Sequence, residues 1–363
     1  MYLNHTRKQK PVFPKWKLIF AFLKYTNMGS PSISIIMPVF NEAKHLPRCL
    51  DSILAQSTAD WELLAVDDQS TDESRAILEK YAAIDTRIQV LSGNEKGIIP
   101  ALRVAVNHAN GLFITRMDAD DYMAPHKLEA LRQPLLQAGK GHLSTGLVAY
   151  FSEEFSLGPG YQRYAEWLNT VIRAARNWEE IYRECTIPSP CWMTYREDFL
   201  RAGGHDPSTN PEDYDLAFRF HKAGLKVVSV PDVLHYWRDH TLRSSRNLES
   251  HANQEYFRLK APRFLEIDRD PGRPLLLWGA GRKGKELATL FIERHVHFHW
   301  CCDTPSKWGH DIYGIRMEKT DILDALDSPQ IVLAVSSPKE QPGIDQALRN
   351  KGLRAGKDFF WFC

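Results

Sequence analysis

From Ser32 onward the chain alternates short apolar runs with amphipathic stretches. Residues 32–40, 61–66, 88–91 and 113–116 are rich in β-branched or apolar side chains. Such runs predict strands buried on both faces. Between them, Leu46, Leu50, Ile53 and Leu54 fall on one helical face. After Gly97, Leu102, Ala105 and Val106 do the same, and Asn110-Gly111 ends that helix. Ser70 or Thr71 can cap the helix after the second strand. This order predicts an α/β fold, a mostly parallel sheet with helices on both faces. Ligands of such sheets bind beyond the carboxyl ends of the strands. Phe40, Asp68 and Asp120 stand at such ends.

Further along, residues 143–150 and 227–230 read as strands, and residues 161–182 as one helix carrying Tyr164, Leu168, Val171, Ile172 and Ala175. Residues 187–193 form a proline-rich aromatic loop, and its Trp192 is a candidate acceptor contact. Pro211 opens a helix with Glu212, Asp213 and Asp215 in its first turn. At Arg269-Asp270-Pro271-Gly272-Arg273-Pro274 the pattern breaks, which predicts a linker. Strands at 275–278, 296–302 and 331–335 then make a small Rossmann-like α/β domain. The expected divisions are a basic aromatic segment 1–30, a main domain 31–270 and a Rossmann-like domain 271–363.

The second unit carries Gly279-Ala280-Gly281-Arg282-Lys283-Gly284, with Asp303 about 20 residues later, which is the dinucleotide fingerprint. With about half the strands of a full dinucleotide domain, Gly279, Gly281, Gly284 and Asp303 are expected to serve structure or regulation before redox chemistry. Arg282 and Lys283 would suit an anion.

Composition narrows the classes. A hydrophobic share of 43% against 25% charged predicts a globular protein with real cores. The net charge of +1 supplies no field for nucleic acid. None of the six cysteines forms a C-x-x-C pair, so free thiols in a reducing cytoplasm are expected. No apolar run is long enough to span a bilayer. In the first 30 residues, Lys8, Lys10, Lys15, Lys17 and Lys24 surround Trp16, Phe20 and Phe22. That segment is expected to lie on the inner face of an anionic membrane, to be a disordered leader, or to precede a start at Met28.

The chemistry centres on Met117-Asp118-Ala119-Asp120-Asp121. Along an extended chain, residues two apart share a side, so Asp118 and Asp120 are expected to hold one ligand. Carboxylate oxygens suit Mg²⁺ or Mn²⁺, ions that bring phosphates with them. An acidic turn capping the next helix is the alternative.

Five motifs in order resemble family 2 glycosyltransferases of the GT-A fold. They are Met37-Pro38-Val39-Phe40-Asn41-Glu42, Val66-Asp67-Asp68-Gln69-Ser70-Thr71-Asp72, Asp118-Ala119-Asp120-Asp121, Pro211-Glu212-Asp213-Tyr214-Asp215-Leu216 and Tyr236-Trp237-Arg238-Asp239-His240. Together they cover roughly two thirds of the chain. The resemblance implies that Pro38 and Phe40 line the nucleotide pocket, with Glu42 on the substrate side and Asp68 accepting from the base. It places Asp118 near the donor ribose and phosphates. Asp120 would hold the divalent ion, with Asp118 and His240 as further metal candidates. Asp213 would be the general base, and Glu212 would touch a sugar.

Gln69 stands where the family has glycine, and Arg103 where asparagine is frequent, although Arg103 could reach a phosphate. The Gln-x-x-Arg-Trp motif of polymerising members is absent, so one sugar per acceptor is expected. The implied activity is inverting, metal-dependent transfer from a nucleotide-diphosphate sugar, a UDP-sugar, to a hydroxyl of a glycan or lipid-linked acceptor. The rivals are a nucleotidyltransferase, an NAD(P)-dependent oxidoreductase built on the C-terminal fingerprint, and a non-catalytic sugar-nucleotide-binding protein.

Overall fold

The computed structural model describes residues 31–241 and 253–363. The basic aromatic segment expected at 1–30 lies outside the described residues. Strand β1 (Ile33–Val39) is buried except at Pro38, whose ring sits where β1 runs out. Helix α1 (Leu46–Leu54) buries Leu46, Cys49, Leu50 and Ile53, so Cys49 joins the expected stripe while Leu54 is only half-buried. Next come β2 (Trp61–Asp67), α2 (Ser74–Ile84), β3 (Ile88–Ser92), α3 (Ile98–His108) and β4 (Phe113–Arg116). The short β5 (Tyr122–Met123) leads to α4 (Lys127–Ala138) and β6 (His142–Phe151). Helix α5 (Pro159–Arg173) and the single turn α6 (Asn177–Glu180) precede β7 (Trp192–Tyr195), α7 (Arg196–Arg201), α8 (Glu212–Lys222) and β8 (Lys226–Arg238).

These strands form one sheet in the order β3-β2-β1-β4-β7-β6-β8-β5. Strand β1 pairs in parallel with both β2 and β4. The strand order reverses beside β1, and a crevice for ligands opens at such a switch point. The turns after β1 and β4 flank it.

Helix α9 (Asn253–Ile267) leads to the second sheet. Its elements are β9 (Leu275–Trp278), α10 (Arg282–Glu293), β10 (His299–Cys301), β11 (Asp311–Ile312), β12 (Ile315–Glu318), β13 (Gln330–Leu333), α11 (Gln341–Asn350) and β14 (Phe359–Trp361). The order β11-β12-β10-β9-β13-β14 is parallel apart from β11. Five parallel strands wound outward from β9 make a fuller sheet than the three strands expected from the sequence. Strands β12 and β14 are four and three residues long, too short for a period to register.

Three local expectations are corrected. The helix expected at 161–182 is broken at Ala175, whose φ of 51° lies in the left-handed region. The aromatic loop at 187–193 already enters β7 at Trp192. The strand expected at 227–230 continues to Arg238, carrying the last motif on its end.

One contiguous core runs through both sheets, from Ile36 and Leu64 to Phe360 and Phe362. At the junction the Tyr182 ring stacks on Phe362 at 5.1 Å and meets Phe264 edge-on at 5.5 Å. The Tyr182 hydroxyl donates to Asp268 at 2.7 Å, and Arg183 donates to Gln341 at 2.7 Å.

Candidate active site

The turn after β1 is tied to the turn after β2. Asn41, at φ 52°, accepts the Thr71 backbone N–H on its side-chain oxygen at 2.8 Å. The Glu42 N–H donates to the Ser74 hydroxyl at 2.8 Å. Phe40 is left 42% exposed at the strand end, with the Lys96 ammonium 3.9 Å from its ring centre. Nearby Asp68 is buried and accepts the Gly97 N–H on both oxygens, at 3.0 and 2.9 Å. It thereby closes the 93–97 loop, while a carboxylate keeps lone pairs for a further donor. Gln69, at φ 60°, occupies a region glycine enters freely. The departure from the family glycine therefore costs about 1 kcal/mol of backbone strain.

The acidic cluster is a turn, closed by the Asp121 N–H on the Asp118 carbonyl at 3.3 Å. The extended alternation expected to align Asp118 with Asp120 is not what positions them. The protein also divides the three carboxylates among its own partners. The Arg116 guanidinium donates to Asp118 at 2.7 Å, and His240 Nε2 lies 3.2 Å from Asp120. Asp121, 2% exposed, accepts the Arg238 N–H at 2.7 Å and contacts His235 Nε2 at 2.9 Å. Buried Lys127 stands 3.2 Å from His235 Nδ1 and also donates to the Pro190 carbonyl. With Lys127 as donor, Nδ1 accepts and Nε2–H donates to Asp121. Asp121 thus anchors the turn from behind and leaves Asp118 and Asp120 in front.

Arg116 does more than neutralise Asp118. Its Nη1 donates to Glu212 at 2.9 Å, joining the end of β4 to the first turn of α8. Burial and the nearby Asp120 and Glu212 raise the Asp118 pKa, and Arg116 opposes them. Burial would pull the Arg116 guanidinium down, but Asp118 and Glu212 more than compensate and hold it charged. Asp213 follows Glu212. Burial, then the Glu212 charge, push its carboxyl up to about 7. A carboxylate poised there suits proton abstraction near neutrality.

Two expected contacts are corrected. Arg103 is committed within the protein: it donates to the His205 and Asp206 carbonyls and to the Ser208 hydroxyl at 2.9 Å, fastening the 205–208 loop. Arg103→Ala is expected to cost about 1–2 kcal/mol in denaturant unfolding while leaving UDP affinity in calorimetry unchanged. Trp192 is 2% exposed, with its ring stacked on Phe199 at 5.8 Å and edge-on to Phe220. It is a core residue with no surface for an acceptor.

In the second unit the outer glycines answer packing. Gly279 has φ 122°, and a Cβ there would lie 2.8 Å from the Ala334 carbonyl. A Cβ on Gly284 would lie 2.0 Å from the Gly279 carbonyl. Gly281 precedes α10 with open space around it. Asp303 accepts the Trp278 indole N–H at 2.8 Å, and Lys307 donates to the Ala280 carbonyl at 2.8 Å.

Sequence reasoning missed Arg116, Lys127, His235 and His45. A charged residue closing a buried apolar strand, as Arg116 does, was the one available signal.

A family model described as glycosyl transferase family 2 matches residues 34–204. The glycosyltransferase GlyG of Streptococcus pneumoniae serotype 4 (strain ATCC BAA-334 / TIGR4) is 35% identical over 219 residues, covering 58% of this chain and 71% of that protein. The chondroitin synthase of Pasteurella multocida (strain Pm70) is 26% identical over 235 residues, covering 62% of this chain. The chain spans 22% of that synthase and 21% of the length of the Pasteurella multocida hyaluronan synthase. Among solved structures, Staphylococcus aureus TarS 1-349 in complex with UDP-GlcNAc superposes with a TM-score of 0.50 at 17% identity. The match covers 73% of this chain and 72% of TarS 1-349, a likeness of fold.

Proposed function

We propose a function for this chain from its family: it belongs to the family 2 glycosyltransferases. It moves a sugar from a nucleotide-diphosphate donor, a UDP-sugar, to a hydroxyl of a glycan or lipid-linked acceptor. The observation that carries the reading is Arg116, which ties the donor-side Asp118 to the α8 turn bearing Asp213.

In this reading the exposed Phe40 ring stacks on the base, Asp68 accepts from it, and Asp118 meets the ribose or diphosphate through the oxygen that Arg116 does not take. Asp213 takes the proton of the attacking hydroxyl. Glu212 is committed to Arg116 and serves to place α8. One base opposite the leaving group gives inversion at the anomeric carbon, whereas retention through a covalent intermediate would need a carboxylate nucleophile.

The donor set of the acidic turn fits a divalent ion. Asp118 and Asp120 are hard oxygen donors on one turn, with the His240 imidazole 3.2 Å from Asp120. Asp120, with His240 and Asp118, would hold Mn²⁺ or Mg²⁺. Such an ion neutralises charge on a leaving diphosphate. All six thiols are unpaired, which supports a reducing, cytoplasmic setting. Among the described residues no helix is long and apolar enough to cross a membrane.

The test is release of nucleoside diphosphate from UDP-sugars with and without Mn²⁺. Asp120→Ala is expected to weaken Mn²⁺-dependent UDP binding at least tenfold in calorimetry. Equal turnover by Asp120→Ala, or by metal-free protein, would remove Asp120 from the site.

A further inference from the structure

The transfer chemistry uses His240 and Asp120 but leaves two neighbours unassigned. Glu42 ends the first motif and His45 directly precedes α1. Each of Glu42, His45 and His240 offers one ligand-type atom, and these atoms lie within 4.8 Å of one another. Among the described residues this is the only such group of three or more, and neither Asp118 nor Asp120 belongs to it. His45 and His240 are nearly buried, at 7% and 3% exposure. Their rings are tilted at 57° with centres 4.6 Å apart. His45 Nδ1 stands 3.0 Å from Glu42 Oε2. A cavity of about 140 Å³ opens beside them, lined also by Lys44, Arg238, Glu153, Glu154 and Asp239, with Lys44 paired to Glu154 and Arg238 to Glu153. A water molecule's share of liquid volume is about 30 Å³, so an ion and its remaining waters fit.

The donor set differs in kind from the acidic turn. Two imidazoles and one carboxylate, with room at a fourth position, form a set that suits Zn²⁺. Imidazole nitrogen favours first-row transition ions over Mg²⁺ and Ca²⁺, which take oxygen. Ligand atoms around a tetrahedral ion with bonds of about 2.0–2.1 Å sit about 3.3 Å apart. The His45–Glu42 pair, at 3.0 Å, is near that spacing, and all three ligand atoms lie within 4.8 Å of one another.

We propose that Glu42, His45 and His240 form a second divalent-cation site, selective for Zn²⁺ or Co²⁺, beside the acidic turn. Filling it engages the His240 imidazole that the acidic turn would otherwise use, and slows transfer. That consequence rests on the glycosyltransferase reading, whereas the binding does not.

The experiment titrates Co²⁺ into the metal-free full chain without nucleotide, read by visible absorption and equilibrium dialysis. One Co²⁺ per chain is expected, with the intensified visible bands of a four- or five-coordinate site, and Zn²⁺ displaces it. His45→Gln and Glu42→Gln each weaken Co²⁺ binding by about tenfold or more, and Asp118→Asn leaves it intact. Thermal melts of each variant establish that it is folded. Unchanged Co²⁺ affinity in a folded His45→Gln or Glu42→Gln protein overturns the proposal, as does loss of Co²⁺ in Asp118→Asn. Mn²⁺-dependent UDP binding is measured in parallel. Its absence from wild-type protein would count against the donor reading alone, with the Co²⁺ result standing.

Discussion

Asp213→Asn is expected to lower kcat by about 10²–10⁴, the contribution of a positioned general base, with donor affinity kept. Asn has nearly the same shape, and Glu212, which holds the α8 turn to Arg116, is untouched. The pH profile gives a second signature. With the Asp213 carboxyl at about 7, kcat/KM of the wild type falls as pH drops through 7, because the base is then protonated. In Asp213→Asn that limb disappears. The stability sign is opposite. Asp213 has a folded pKa raised above its unfolded value of 3.8, so the folded state binds the extra proton between them. Stability therefore declines as pH rises from about 4 to about 7 and is level above. Asp213→Asn escapes that loss and is expected to unfold at no lower denaturant concentration than wild type at pH 8. Wild-type turnover by Asp213→Asn would move the base elsewhere.

Arg116→Met is expected to cost about 3–5 kcal/mol at pH 7, read as the midpoint of denaturant unfolding. The guanidinium is 5% exposed and holds two carboxylates at 2.7 and 2.9 Å. Removing it leaves Asp118 and Glu212, half-buried at 25% and 15% side-chain exposure, as charges with their main partner gone, a loss of that order. The defect shrinks on acidification. Without Arg116 the Asp118 carboxyl, already raised by burial, rises further in the folded state, so the folded protein takes up that proton first and recovers stability as pH falls. The triple variant with Asp118→Asn and Glu212→Gln recovers most of the loss, because no charge is left to strand. A variant as stable as wild type at pH 7 would mean that solvent reaches the pair.

The legible parts were those written into local sequence. The strands β1, β2 and β4 are continuous apolar runs, and each leads directly into a motif, so Phe40, Asp68 and Asp118–Asp121 could be placed at strand ends. Arg116 was not legible as a clamp, because its partner Glu212 is 96 positions away and meets it only when α8 folds against β4. Trp192 misled for the complementary reason. Prolines around it signal a loop, but burial is decided by Phe199 and Phe220, which reach it from other elements. His45 gave no signal at all, since a lone histidine before a helix is common and only the return of β8 brings His240 to it.

The junction at Tyr182 sets an order on synthesis. Its ring is finished by Phe360 and Phe362, which are translated long after it. At about 5–20 residues per second the ribosome needs roughly ten to forty seconds to reach them. Once Phe264 is made, Tyr182, Phe218 and Phe264 present an aromatic face whose cover, Phe360 and Phe362, is still to come. The nascent chain carries its sugar-transfer motifs complete but its core open, a natural stage for a chaperone to hold.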